Sequence, residues 1–123
     1  MYKPKRFSIL DTNIVYFLKQ GSYHIDVVGG FGITPNNFKL LITNSEMDHR
    51  VTIKKSKWPV QSFMFDKRTK RYCSFDIPVA GNYRIDCLHP HSLNVKKSNL
   101  PIFSSFFRSI PTSEITLYLY LKY

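Results

Sequence analysis

Polar and apolar residues alternate along most of the chain with a period of two, in short runs rich in β-branched and aromatic side chains. A two-residue period is typical of a strand with one buried face, whereas an amphipathic helix repeats its apolar positions every three or four residues. Residues 98–113 lack either period, and we predict an irregular segment there. The predicted strands lie near residues 5–10, 13–19, 22–28, 38–43, 50–55, 60–66, 70–77, 82–88, 93–97 and 114–121.

Turn-forming Gly, Pro, Asn and Ser residues separate these runs about every ten residues. The spacing leaves no helical segment long enough to connect parallel strands, so it favours antiparallel sheets packed face to face. We therefore expect an all-β fold, a two-sheet antiparallel β-sandwich of immunoglobulin/fibronectin-like or jelly-roll-like type with about 7 to 10 short strands. A chain of 123 residues is expected to form one such domain, over residues 1–123.

One pattern, Gly-x-Tyr-x-Ile-Asp, occurs twice, at residues 21–26 and 81–86. In each copy Tyr and Ile fall on one face of the strand and the intervening residues fall on the other. We predict that the glycine follows a turn, and that the buried Tyr donates its hydroxyl to a nearby backbone group. The two copies indicate either an internal duplication or convergence on one way of building a corner. The predicted corner residues are Gly21, Tyr23, Gly81 and Tyr83.

The segment Ala80-Gly81-Asn82-Tyr83 resembles the tyrosine corner of immunoglobulin-type and fibronectin-type β-sandwiches. In those domains a Tyr follows a Gly or Ala turn at the start of a late strand. The Trp and paired cysteines of antibody domains are not at matching spacings in this chain. The resemblance thus implies architecture and not function, because one fold carries many unrelated activities.

The two cysteines fall in neighbouring predicted strands. Residues 71–77 and 83–87 read as a hairpin with a loop of about five residues, in which Ile77 pairs with Tyr83. That register places Cys73 opposite Cys87 on the apolar face. The pair is either two small apolar core residues or a cross-strand disulfide, and a disulfide would indicate an oxidising compartment.

Positive charge is concentrated in the middle of the chain. Lys and Arg number 18 against 8 Asp and Glu, a net charge of +10, and residues 51–97 hold ten of the basic residues and three of the acidic ones. The basic runs carry aromatic neighbours, as in proteins that bind single-stranded nucleic acid, although charged strand ends also serve only to keep a protein soluble. The possible binding surface comprises Lys54, Lys55, Lys57, Trp58, Lys67, Arg68, Lys70, Arg71 and Tyr72.

Sequence motifs of catalysis are missing. The four histidines, His24, His49, His89 and His91, lie in no recognisable catalytic frame, and phosphate-binding and metal-binding motifs are not present. We expect a protein that is not an enzyme and that uses no cofactor and no metal. The C-terminal strand places Tyr118 and Tyr120 on its polar face, where they are either covered or form a contact with a second subunit or a sugar.

The leading hypothesis is a non-catalytic binding module whose partner is another protein or a glycan. The alternative is a basic domain that binds nucleic acid or another polyanion, and a homodimer through the C-terminal Tyr stripe is a further option. No apolar run approaches the roughly 20 residues of a membrane span, and no signal peptide is visible at the N-terminus. The location stays open between the cytoplasm and an excised extracytoplasmic domain.

Overall fold

The computed structural model describes residues 4–28, 32–34, 36–55, 61–64, 67–96 and 112–122, with backbone alone at 32–34, 61–64, 67, 68 and 96. These residues form eleven strands and two short 3-10 turns, at Pro90–Ser92 and Thr112–Glu114. Each predicted strand has a counterpart, and the three-residue β4 is additional. The strands are β1 (Lys5–Ser8), β2 (Ile14–Leu18), β3 (Gly21–Val28), β4 (Gly32–Thr34), β5 (Lys39–Asn44), β6 (Ile53–Lys55), β7 (Gln61–Met64), β8 (Lys67–Ile77), β9 (Gly81–Leu88), β10 (Asn94–Lys96) and β11 (Thr116–Leu121).

The strands form two main sheets. The large sheet has the order β1-β11-β3-β8-β6, with β7 paired to β8 as well, and the small sheet has the order β2-β9-β5. A third, two-stranded sheet consists of β4 and β10. Every pairing is antiparallel. The fold is therefore the all-β antiparallel sandwich that the alternating pattern predicts.

The apolar faces of the large and small sheets pack against each other and form the core. Tyr23, Ile25 and Val27 of β3 are fully buried in it, because every second residue of that central strand points inward. Each such side chain contributes roughly 1.5–3 kcal/mol by leaving water. The predicted core face of the C-terminal strand is confirmed, since Leu117 and Leu119 are also fully buried.

Two connections carry the chain from one sheet to the other at the same end of the sandwich. Residues 19–20 link β2 in the small sheet to β3 in the large sheet, and residues 78–80 link β8 in the large sheet to β9 in the small sheet. We call these connections the arches. Leu18, before the first arch, pairs with Gly81, and Ile77, before the second, pairs with Gly21. The four strands are thus interlocked, because β2 pairs with β9 while β3 pairs with β8.

A buried tyrosine closes each arch. The Tyr23 hydroxyl donates a hydrogen bond to the carbonyl of Lys19 at 2.8 Å, and the Tyr83 hydroxyl donates to the carbonyl of Val79 at 2.6 Å. Both rings are buried to 1% exposure or less, and Tyr23 also stacks on Phe75 with ring centroids 5.5 Å apart. The prediction of two equivalent structural corners is confirmed.

The predicted hairpin between residues 71–77 and 83–87 is wrong. β8 and β9 belong to different sheets, so Cys73 and Cys87 are not cross-strand neighbours. Pro78 begins an arch and not a hairpin loop, and the apolar faces of the two strands meet across the core instead of lying side by side. Alternation alone is the same in both arrangements, which is why it predicts the buried faces correctly and the pairing wrongly.

Candidate functional site

The outward groups of the first Gly-x-Tyr-x-Ile-Asp copy are buried. His24 is 8% exposed and Asp26 is 4% exposed, although strand alternation points both away from the core. β3 lies between β11 and β8, so Tyr120 pairs opposite His24 on one side and Arg71 pairs opposite Asp26 on the other. These neighbours cover the two groups. In the second copy, Arg84 and Asp86 remain partly open to solvent on the small sheet.

Asp26, Arg71 and Tyr120 form a hydrogen-bonded network on the outer face of the large sheet. The Tyr120 hydroxyl donates to Asp26 Oδ2 at 3.1 Å and accepts from Arg71 Nη2 at 3.3 Å. Arg71 Nε lies 3.9 Å from Asp26 Oδ1. Burial raises the pKa of the Asp26 carboxyl, and the Tyr120 hydrogen bond and the Arg71 charge oppose that shift.

His24 extends this network. Its ring centroid lies 5.6 Å from that of Tyr120, and its Nδ1 atom is buried without a hydrogen-bond partner. Burial lowers the pKa of the imidazole, and the positive charges of Arg71 and Lys122 lower it further, so the neutral form of the ring is favoured. Clusters of shifted pKa values mark functional sites in many proteins, but they also mark structural ion-pair networks. Because His24 and Asp26 are covered, we assign the cluster a structural role.

Pairing between β6 and β8 brings parts of the predicted basic surface together. Lys54 and Lys55 of β6 lie opposite Ser74 and Cys73 of β8, and both lysines are exposed. Lys70 and Arg71 continue along β8 and are half-buried, and the backbones of Lys67 and Arg68 begin the same strand. Lys57 and Trp58 lie outside the described residues. The two basic runs thus occupy adjacent strands of one sheet.

Tyr72 is not part of that surface. The predicted aromatic partner of the basic residues is 8% exposed, and its ring meets Phe38 edge-on with centroids 5.6 Å apart. The reason is a register shift in the β3–β8 pairing, where Ile25 pairs with Cys73 and the next residue, Asp26, pairs with Arg71. Tyr72 is the extra residue of this bulge. Burial raises the pKa of its hydroxyl to about 12.

A shallow cleft of about 220 Å³ lies beside β6 and includes His49, Lys54 and Asp76 in its lining. Lys54 Nζ is 3.8 Å from Asp76 Oδ2, and their side chains are 69% and 66% exposed. The Ser22 hydroxyl donates to the other Asp76 oxygen at 2.6 Å. Charges this exposed remain hydrated and interact weakly, so their ion pair contributes little free energy at the cleft.

The cysteines are free thiols in opposite sheets. Cys73 is fully buried in the large sheet, and Cys87 is half-buried in the small sheet against the core. Burial raises the pKa of each thiol to about 12. Both thiols are therefore protonated at neutral pH and are poor nucleophiles, in agreement with the interpretation of two small apolar core residues.

Three of the exposed apolar side chains share the outer face of the small sheet. Val15 and Phe17 of β2 are 50% and 57% exposed on the outer face of the small sheet, since Ile14 and Leu18 take the inward positions. Leu88 of β9 shares that face, and the others lie in the adjoining loops and the second arch. The exposed large hydrophobic residues of the described chain are Leu10, Val15, Phe17, Met47, Val79 and Leu88.

Charged side chains of β5 and β9 share this outer face. Lys39 lies opposite Leu88, and Arg84 pairs with Asp86 at 3.0 Å. Sequence analysis missed the surface, although apolar side chains on both faces of residues 14–18 were its signal. We define the small-sheet face by the outward residues Val15, Phe17, Lys39, Asn82, Arg84, Asp86 and Leu88.

No family model, curated protein or solved structure is significantly similar to this chain. Within the described ranges, no helix is long and apolar enough to cross a membrane.

Proposed function

We propose that this domain is a non-catalytic module that binds another protein through the small-sheet face. The observation that carries the proposal is that Val15, Phe17 and Leu88, three of the six exposed large hydrophobic residues of the described chain, share the outer face of the small sheet. Exposed apolar residues that gather on one side of a soluble domain mark interaction surfaces, whereas isolated ones are ordinary. An aromatic and several aliphatic side chains surrounded by charged residues match the composition of protein interfaces.

A glycan partner has less support, because sugar binding uses exposed aromatic rings as platforms. Tyr23, Tyr72 and Tyr83 are buried in the core, and the Tyr120 hydroxyl is held by Asp26 and Arg71. The small-sheet face therefore fits a protein surface better than a carbohydrate.

Site-specific photocrosslinking in native extracts tests the proposal. A photoreactive phenylalanine analogue replaces Phe17 in one variant and, in a control, the exposed Lys122 that follows β11. We expect one defined protein adduct from position 17 that position 122 does not give. Excess unlabelled wild-type protein should suppress this adduct, whereas excess Val15→Lys protein should not. Equal adducts from both positions, or suppression by both competitors, would contradict the proposal.

A second candidate function, polyanion binding, is favoured by the pairing of β6 with β8 that joins the two basic runs. Phosphate contacts by Lys54 and Lys55 would make the affinity fall steeply with salt. Replacing both lysines by Glu should weaken binding to single-stranded DNA and reduce the magnitude of the salt slope by about 1.4. The matched control replaces Lys19 of the first arch and Lys39 of the small-sheet face by Glu, with the same change in net charge. Equal losses in both variants would attribute the binding to net charge and exclude a site at β6–β8.

A further inference from the structure

We propose that the outer face of the large sheet binds single-stranded nucleic acid, whose bases stack on the rings of Tyr118 and Tyr120. This inference rests on polyanion binding, the second candidate function, and names the class of ligand and the residues that contact it. The face carries a row of aromatic rings, cations on both sides of that row, and a network that holds one of the rings in place.

The aromatic row lies on β11 and β3. Strand alternation turns Leu117 and Leu119 into the core, so Tyr118 and Tyr120 project from the opposite face, where each keeps part of its surface exposed. The centroids of the two tyrosine rings are 5.3 Å apart, and the ring of His24 lies 5.6 Å from that of Tyr120. Bases of any sequence stack on aromatic rings, because every base has a π-face.

Strand register places an arginine on each side of this row. Arg6 of β1 pairs opposite Tyr118, and Tyr118 pairs opposite Asp26 of β3. On the far side of β3, Arg71 of β8 pairs opposite Asp26. The line from Arg6 to Arg71 therefore crosses four neighbouring strands, a width of about 14 Å because adjacent strands lie about 4.8 Å apart. Proteins that bind single strands combine cations for the phosphates with rings for the bases in this way.

Two lysines add positive charge next to the same row. Lys54 of β6 pairs opposite Ser74 of β8, which pairs opposite His24. Lys122 follows the end of β11, and its charge acts on His24 by lowering the pKa of the imidazole. By strand register, the charged residues that the structure describes on this face are Arg6, Lys54, Arg71 and Lys122 against Asp26 and Asp76. This positive excess complements phosphate groups, whereas two copies of the chain meeting at this face would bring like charges together.

The network around Asp26 holds the Tyr120 ring in one orientation. The Tyr120 hydroxyl donates to Asp26 Oδ2 and accepts from Arg71 Nη2, so it is engaged within the sheet. Stacking uses the face of the ring and not its hydroxyl, so a base can bind without breaking these hydrogen bonds. A ring that is already held in place also loses little conformational entropy when a ligand binds.

Fluorescence anisotropy with a labelled oligothymidine of about 12 nucleotides, free or annealed to oligoadenosine, tests the proposal. We expect the single strand to bind at low salt with an affinity that falls as the salt concentration rises. Tyr118→Leu should weaken single-strand binding by about five-fold or more and leave duplex binding unchanged, because only unpaired bases can stack on the ring. Arg6→Gln should reduce the magnitude of the single-strand salt slope by about 0.7.

Matched controls come from the opposite side of the sandwich. Phe17→Leu removes an aromatic ring from the small-sheet face, and Arg84→Gln removes one positive charge there. Neither should change single-strand affinity or its salt slope by an amount comparable to the Tyr118 and Arg6 variants. Circular dichroism checks that each variant is folded.

The outcomes separate this inference from polyanion binding. Binding that is lost when Lys54 and Lys55 become Glu, but is unaffected by Tyr118→Leu and Arg6→Gln, overturns the stacking face and leaves polyanion binding at β6–β8 intact. No binding of the single strand at low salt overturns both. Equal losses for single strand and duplex in Tyr118→Leu, or equal losses in Tyr118→Leu and Phe17→Leu, would contradict stacking on the outer face.

Discussion

The most direct test of the fold is removal of a single hydroxyl at an arch. In Tyr83→Phe the ring stays in its buried position and only the oxygen that donates to the Val79 carbonyl at 2.6 Å is lost. Tyr23→Phe makes the equivalent change at the first arch, where the bond to the Lys19 carbonyl is 2.8 Å long. Because no atom of the ring changes, the loss of stability measures the corner itself.

The expected loss is about 1–1.5 kcal/mol for each variant, the usual net contribution of one intramolecular hydrogen bond. The loss stays in this range because Val79 and Lys19 are exposed, so water can partly reach the backbone carbonyl that no longer accepts a hydrogen bond from the tyrosine. For a chain of 123 residues the unfolding entropy is about 0.26 kcal/mol per degree, so Tm should fall by about 4–6 °C. Tyr23→Leu should cost more, about 3 kcal/mol, because it also removes the stack on Phe75.

Urea and thermal unfolding followed by circular dichroism provide the measurement. The control is Tyr16→Phe, whose half-buried hydroxyl makes no hydrogen bond within the described part of the chain, and which should change stability by less than about 0.5 kcal/mol. If the free energies of unfolding of Tyr83→Phe and Tyr23→Phe lie within 0.5 kcal/mol of that of the control, roughly the error of such a comparison, the tyrosine hydroxyls do not stabilise the arches.

Three further predictions concern glycine, histidine and cysteine positions. Gly21→Ala should destabilise the domain by about 1 kcal/mol or more, because Gly21 has φ of 151° and an added Cβ would lie 3.0 Å from Leu121 Cδ1. Gly81→Ala should be tolerated, since its added Cβ would lie 3.6 Å from Asn44 Nδ2, and equal losses of stability in the two variants would count against the first-arch geometry. Because the pKa of His24 is lowered in the folded state, the free energy of unfolding should be highest above pH 6.5 and should fall as the pH falls through the folded-state pKa. Denaturant unfolding from pH 7.5 to 5 should show this loss in the wild type and a smaller loss in His24→Gln. Identical pH profiles for the two proteins would refute the prediction. Thiol labelling at pH 8 should be slow for both cysteines and complete only after denaturation, with Cys87 ahead of Cys73, and rapid native labelling of Cys73 would contradict its burial.

Alternation along the chain was enough to predict the fold class, the faces of the strands and the two tyrosine corners. These properties depend on local periods and on residue types such as the Gly that precedes Tyr23 and Tyr83. The C-terminal strand is the clearest case, because Leu117 and Leu119 alternate with polar positions over its whole length. Local pattern and tertiary structure agree wherever a strand has one buried face.

Strand pairing and sheet position were beyond the reach of the sequence. An arch and a hairpin bury the same faces, so the alternation of residues 71–87 could not reveal that β8 and β9 separate into two sheets. The central position of β3 buries His24 and Asp26 through neighbours that come from β8 and β11. The bulge that turns Tyr72 inward is a one-residue shift with no sequence signature of its own.

The candidate surface was predicted less well than the fold, because exposure is a tertiary property. The basic runs drew attention through charge, whereas Val15 and Phe17 resembled an ordinary buried strand. Their side chains are 50% and 57% exposed because they point outward from the small sheet, which the run of apolar residues at 14–18 does not reveal.

The interlocked arches also determine when this chain can fold. Leu18 and Gly81 are partners although 63 residues separate them, and Gly21 and Ile77 are separated by 56. During synthesis β2 and β3 therefore lack these pairing partners until β9 and β8 have left the ribosome. Contacts this distant require closure of a long loop before any of them forms, so folding on a timescale of milliseconds to seconds is expected.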